Sequence, residues 1–408
     1  MQNNNSYLLK FLKVLILIFI VSIPFSRALL SISGILIAAV SLAFAITNKK
    51  KISLANHYYI LLLVFVALCT IDFARVYEFS NWTREISIKL PLILLPLPFL
   101  LAKQIFDRNF VKYILITFVF TISISSSISV VNYFLNYEEL NKLVLQSKNI
   151  PVAGGMHHIT FSVYCALSVF LAVIAAFDYK IKWLHFFAII NLINLHILSA
   201  RTGLAGFYIT AFFLIFVITL KNRKYLKFAL PSLIIILILP VTTFFTIKSF
   251  KNRVLNTVDD LKTTLNQKDA NYKSMAMRVE ATKTAWSIFE KNILFGVGTG
   301  NLRKHMDIEY ELKNTNLFLE NRILPHNQFV YEAATHGISG LLVLLLFIFL
   351  PVFWGFNKLS FSFVSLWMLL LFGMFFECFF ERQHGVVLVS FFWFLFLAYK
   401  ENLIQKLE

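Results

Sequence analysis

His326 heads the stretch Pro325 to Leu342, Pro-His-Asn-Gln-Phe-Val-Tyr-Glu-Ala-Ala-Thr-His-Gly-Ile-Ser-Gly-Leu-Leu, which closes the long polar segment and opens a new apolar one. Imidazole titrates near neutral pH, so a histidine here can take a proton from a hydroxyl. The competing reading is a structural histidine capping the next helix. Asn327 beside it is a candidate substrate-binding amide. Arg201 lies in Leu198-Ser199-Ala200-Arg201-Thr202-Gly203, between two apolar runs with almost no loop. An ionisable group near membrane depth is costly and marks function by default; the alternative is an interfacial arginine that snorkels to lipid headgroups. A guanidinium also suits a diphosphate, because its planar fork can hold two oxygens at once. Arg278 lies on a segment of helical periodicity, where a solvated or lipid-touching arginine is the plain alternative.

Other polar groups carry less. His157 with His158, and His326 with His336, fit no zinc spacing, and no cysteine or carboxylate pattern completes a metal site. His336, at the start of an apolar run, is expected to tolerate Asn or Gln. Gly296-Val297-Gly298-Thr299-Gly300 lacks the spacing and the strand–turn–helix context of a dinucleotide fingerprint, so its glycines are read as a tight turn that folds the loop back. Glu377 and Glu381 are expected to pair with Arg382 or a functional arginine. Their roles, and those of His157 and His158, stay open.

The elements that must position these groups follow from composition. The chain of 408 residues is 58% hydrophobic and 14% charged, whereas soluble domains carry about 25% charged residues. This is the composition of an all-α, polytopic membrane protein. Twelve apolar segments can be marked, at about 9–25, 28–46, 57–74, 86–102, 112–134, 158–177, 183–199, 203–220, 228–248, 337–356, 361–378 and 386–399. The first is read as an uncleaved span. Pro91, Pro96 and Pro98 imply an irregular fourth segment. Cys69, Cys165 and Cys378 all lie in apolar runs and read as packing residues.

The net charge of +17 does not indicate nucleic acid, because the basic residues alternate between the ends of apolar runs. With both termini and Lys49–Lys51 in the cytoplasm, short inner segments hold 17 Lys or Arg and short outer loops hold 7, as the positive-inside rule requires. The chain is thus read as a single membrane domain, 1–408, with an outer loop, 249–335, inserted between the ninth and tenth spans. That loop is mixed in charge, with 12 basic and 10 acidic residues. Its length of 87 residues marks it as functional rather than a simple connection. Within it Met275, Val279, Trp286 and Phe289 suggest an amphipathic helix near the membrane surface.

Taken in order, Ser199-Ala200-Arg201-Thr202-Gly203, Arg278 with Trp286 and Gly296-Val297-Gly298-Thr299-Gly300-Asn301, and His326-Asn327 through Gly337 and Gly340-Leu341-Leu342 resemble the O-antigen ligase and polymerase superfamily. The likeness covers about half the chain. Ala200-Arg201-Thr202 departs from the more common Ser-Arg-Gly wording. The resemblance implies a GT-C-like membrane glycosyltransferase of the bacterial inner membrane, with its active site facing the periplasm. Its donor would be a glycan on undecaprenyl diphosphate, and its acceptor lipid A–core or another glycan. It implies Arg201, Arg278 and His326 as the catalytic set, an inverting transfer, and no cofactor or metal. A ligase is the first expectation and a polymerase of the same superfamily the second. A polysaccharide transporter or flippase fits less well, because transporters carry internal repeats and charged groups near the midplane, whereas these candidates cluster at one face.

Overall fold

A computed structural model describes residues 2–49, 56–221, 226–265, 271–353 and 359–399. Lys50 and Lys51 of the expected cytoplasmic run, and Arg223 and Lys224 of the next basic connection, lie outside the described residues. No strand occurs among the described residues, as long apolar runs demand. In a bilayer every backbone polar group must be satisfied within its own segment, and a helix does this.

α1 (Gln2–Phe25), α2 (Arg27–Thr47) and α3 (His57–Ile71) open the chain. The Ser26 side chain caps α2 by accepting from the Leu29 amide at 3.2 Å. The fourth apolar segment is broken, as its prolines require, into α4 (Phe79–Lys89), α5 (Pro91–Leu94) and α6 (Leu97–Leu101). α7 (Arg108–Leu135) is followed by the short α8 (Tyr137–Leu145), then α9 (His158–Asp178), α10 (Leu184–Leu198), α11 (Arg201–Lys221) and α12 (Leu226–Thr246). The segment expected as an outer loop folds into α13 (Lys248–Leu265), α14 (Ser274–Lys291) and α15 (Leu302–Leu312), and runs into α16 (Gln328–Phe353). α17 (Phe361–Met374), α18 (Gln383–Val387), a π-helical turn at Leu388–Phe392 and α19 (Trp393–Ala398) complete the described chain.

Among the described residues eight helices are long and apolar enough to cross a membrane; Leu184–Leu198, Phe361–Met374 and Gln383–Ala398 are apolar but shorter. The chain is therefore an all-helical, multi-pass membrane protein. Among the described residues these eight are fewer than the expected twelve spans, and the last part of the segment expected at 337–356 lies outside the described residues. α9 is the central pillar, 94% buried over its apolar window, whereas α12 is 11% buried and turns its apolar surface outward. Side-chain hydrogen bonds zip α7, α9 and α10 together. The Asn191 amide donates to Ser123 at 2.8 Å and to Ser168 at 3.0 Å, and Ser126 donates back to Asn191 at 2.8 Å. With no hydrophobic drive between helices in lipid, such bonds and close packing fix the register. All three cysteines are free and buried.

α14 differs from the expected surface helix. Its buried face is Ala281, Thr284, Ala285 and Ile288, with Phe289, while Trp286 is exposed. Small residues let α14 lie close against α13, α15 and α16, so the helix is buried against protein along a face that apolar size alone does not reveal. The glycine segment is a turn as expected. Gly296, Gly298 and Gly300 all have positive φ. Val297 and Gly298 donate to the carbonyls of Ala334 and Thr335 at 3.0 and 2.7 Å, and Ile338 donates to Ile293 at 2.7 Å. α16 opens at Gly337 (φ 66°, ψ −157°) to accept this pairing, and a Cβ there would lie 2.5 Å from the Ile293 carbonyl oxygen. Only glycine fits that conformation and that approach.

Candidate functional site

Arg201 owes its place to the junction of α10 and α11. α10 ends with Ser199 in the left-handed region (φ 50°), its hydroxyl donating to the His196 carbonyl at 2.6 Å. Arg201 therefore opens α11 directly. A Cβ on Gly203 would lie 2.1 Å from the Ser162 hydroxyl, so this glycine lets α11 press against α9. α13 docks beside the junction through Ser249, whose hydroxyl donates to the Ile197 carbonyl at 2.8 Å. Two turns further along α13 than Arg253, the buried Asp260 accepts from the Arg201 guanidinium at 3.0 Å.

Arg278, half-buried on α14, reaches the Phe376 carbonyl at 3.4 Å. Burial pushes its charge down from the ordinary guanidinium value; Glu377 opposes this, and Arg201 and Arg382 add to it. His326 stands just before α16. Asn327 is the residue that caps that helix. Its side-chain oxygen accepts from the Val330 amide at 3.1 Å, and its amide reaches the Phe375 carbonyl at 3.3 Å. The expected substrate-binding amide is thus engaged as a helix cap and does not line the cavity described next.

Arg201, Arg278 and His326 meet around one cavity of about 210 Å³. Arg253, His157 and His158 also line it, and no carboxylate does. Nδ1 of His157, Nδ1 of His326 and the Nε atoms of Arg201 and Arg253 are buried there without a hydrogen-bond partner. Burial, and then the charge of Arg382, hold His157 down to about 4, so its ring is neutral at pH 7. Among the described residues, no three His, Cys, Asp or Glu side chains are grouped to hold a metal ion. Three guanidiniums and no carboxylate among its lining residues give the cavity a positive potential. A second, larger groove of about 720 Å³ adjoins it at His157. Its walls are largely apolar, including Leu30, Ile35, Leu94 and Leu95, and Arg27, Arg84 and Arg382 also line it.

The segment after α17 supplies the partner that His326 lacks on its own helix. Glu377, 2% exposed in its side chain, brings its carboxylate to 3.4 Å from Nδ1 of His326 and 3.5 Å from Nε of Arg382. The first distance is an ion-pair separation rather than a short hydrogen bond. Burial alone would raise Glu377, but the His326 ring and charge, followed by Arg382 and His157, hold it down to about 2. Glu381 pairs instead with Lys89 at 2.8 Å. The expected pairing with Arg382 holds for Glu377 and not for Glu381, and the approach of Glu377 to His326 was not foreseen. Its signal was an isolated carboxylate in Phe375-Phe376-Glu377-Cys378-Phe379, where burial without a partner would be prohibitive.

His336 is corrected. It is 2% exposed and binds Glu332 at 2.7 Å and the Thr299 hydroxyl at 2.9 Å. Asp72 accepts from both the amide and the hydroxyl of Thr299, at 2.8 and 3.0 Å. Gln328 donates to Glu332 at 2.8 Å and accepts from the Phe380 amide at 2.9 Å. His336, Glu332 and Gln328 thus form a buried ladder, one helical turn per step, from the glycine turn to the segment that carries Glu377. A residue inside such a network is not freely replaceable.

No curated protein matches the chain. Residues 186–345 match the family model described as O-antigen ligase, a stretch that runs from α10 into α16 and contains Arg201, Arg278 and His326. The matched stretch is about two fifths of the chain, and with the all-helical, multi-pass architecture around it this region is similar to the O-antigen ligase family.

Proposed function

We propose that this protein is an O-antigen ligase that transfers a glycan from undecaprenyl diphosphate to a sugar hydroxyl of lipid A–core. The single observation that carries this reading is convergence: Arg201, Arg278 and His326, 125 positions apart from first to last, line one cavity free of carboxylates. In this scheme the bond between the anomeric carbon and the diphosphate oxygen breaks, and the bonding pair leaves with the diphosphate. Arg201 and Arg278 stabilise that growing negative charge, which in a site shielded from water is worth far more than in solution. The acceptor hydroxyl attacks the opposite face of the anomeric carbon, giving inversion, and its proton passes to His326. General-base help of this kind contributes about 10²–10⁴-fold. Glu377 then faces the imidazolium that forms. The scheme calls on no cofactor. The adjoining groove of about 720 Å³ offers the lipid part of a substrate an apolar wall beside the cavity.

The working face would be periplasmic, and the membrane the bacterial inner membrane, on the charge bias of the short loops. The test is His326→Ala in purified, detergent-solubilised protein with chelator present. Transfer should be lost while the lipid-diphosphate donor still binds. Loss of donor binding would move His326 to the donor side, and activity restored by a divalent cation would overturn the cofactor-free scheme. In a deletion strain, capped lipopolysaccharide should be lost while lipid-linked polymer accumulates; a single repeat unit on the core would instead mark a polymerase.

A further inference from the structure

The proposed pair of arginines leaves part of the cavity unexplained. Arg253, on α13, also lines it and is only 9% exposed. One end of its guanidinium is fixed, because Nη2 donates to the Lys148 carbonyl at 2.9 Å. Its neighbours on α13 do the same work on the α8 loop: Asn252 donates to the Asn141 carbonyl at 3.2 Å and Asn256 to the Val144 carbonyl at 2.5 Å. The other side of the Arg253 guanidinium, Nε, is buried with no partner.

Charge makes the position of Arg253 costly. Asp260 is spent on Arg201 at 3.0 Å. Among the described residues neither Arg253 nor Arg278 has a carboxylate within ion-pair distance. Burial, and then Arg201, push Arg253 down to about 10, with Asp260 opposing. Taking an ion out of water costs several kcal/mol unless a partner compensates it. Two guanidiniums with no carboxylate at ion-pair distance, beside a third, around about 210 Å³, suit an anion of more than one charge. The space is smaller than the roughly 300–1,000 Å³ of drug-sized pockets, so it suits the charged group alone, with glycan and lipid extending beyond it.

We infer that Arg253 is a third diphosphate-binding arginine, which makes this site select a lipid diphosphate over a lipid monophosphate. This rests on the donor reading proposed above and adds a specificity to it. A diphosphate esterified at both ends carries two negative charges, and cleavage of the glycosyl bond adds a third on the leaving oxygen. Arg253 supplies the charge that matches this addition, so its contact strengthens as the reaction proceeds, which is the condition for raising the rate and not only the affinity.

The experiment uses the full chain in detergent, with undecaprenyl diphosphate and undecaprenyl monophosphate as probes, read by affinity and by the rise in thermal midpoint. The wild type should favour the diphosphate. Arg253→Gln should weaken diphosphate binding about ten- to a hundredfold, the range of a charge-assisted hydrogen bond. It should change monophosphate binding less than about threefold and leave the unliganded midpoint near wild type, because lost repulsion offsets the lost Lys148 contact. Arg253→Lys should recover part of the preference, and serves as the reading if Arg253→Gln does not fold. Diphosphate affinity within about threefold of wild type, or equal loss of both probes with a lowered unliganded midpoint, would reduce Arg253 to a structural staple. In either case the donor reading stands. If the wild type itself binds neither lipid phosphate, the donor reading falls as well.

Discussion

Replacing Glu377 by Gln removes one charge at nearly constant volume, from a position 3.4 Å from the His326 ring. Glu377 does not line the cavity, so donor binding should survive, and donor affinity serves as the control for folding. The charge matters when His326 becomes an imidazolium. At this distance two unit charges attract by about 5 kcal/mol at an effective dielectric of about 20, and by about 1 kcal/mol in bulk water. These bounds correspond to rate losses of about tenfold and a few thousandfold. With Glu377 buried and His326 partly exposed, transfer should fall about a hundredfold, measured as single-turnover glycan transfer in detergent. Glu377 also carries a stability signature. Its folded-state value is depressed, from the ordinary 4.5 to about 2, so its contribution is complete above the carboxylate range and is lost as pH falls towards 2. That shift amounts to about 3 kcal/mol, which the wild type should lose on acidification and Glu377→Gln should not. Transfer within about threefold of wild type, at normal donor affinity, would refute the assignment of Glu377 as partner of the transfer base.

Arg201→Lys and Arg278→Lys should each recover little of the activity lost in the corresponding Ala variants, because lysine keeps the charge but not the fork; the exposed Lys304 is the replaceable control. Near-normal transfer by Arg201→Lys would mean that charge alone suffices. His336→Gln should destabilise the fold by about 3 kcal/mol, read as a lower thermal midpoint, because Glu332 would keep its burial and lose a close partner; an unchanged midpoint would contradict the ladder. Single cysteines at Asn48 and at Asn266, the latter outside the described residues, test the membrane orientation with an impermeant thiol reagent. In intact spheroplasts Asn266→Cys should react and Asn48→Cys should not.

The all-helical membrane architecture was legible in the sequence because the bilayer imposes it: long apolar runs must satisfy their own backbone, and helix does so within each run. The break in the fourth segment was legible because proline cannot donate within a helix. Arg201 and His326 stood out because each flanks an apolar run, where a charge is expensive, whereas Arg278, inside the polar segment, was marked by the family resemblance alone. What shares a cavity with them was not legible. Arg253 is one of 12 basic residues in an ordinary charged stretch, and only the docking of α13 against the α10–α11 junction brings it beside Arg201. Asn327 looked like a substrate ligand until the start of α16 turned it into a cap. His336 looked dispensable by its place in the chain, yet the glycine turn folding back onto Gly337 buries it among Asp72, Thr299 and Glu332. Local chemistry determines which residues resist burial; which charges face one another depends on helix packing between distant segments, and that is decided only in three dimensions.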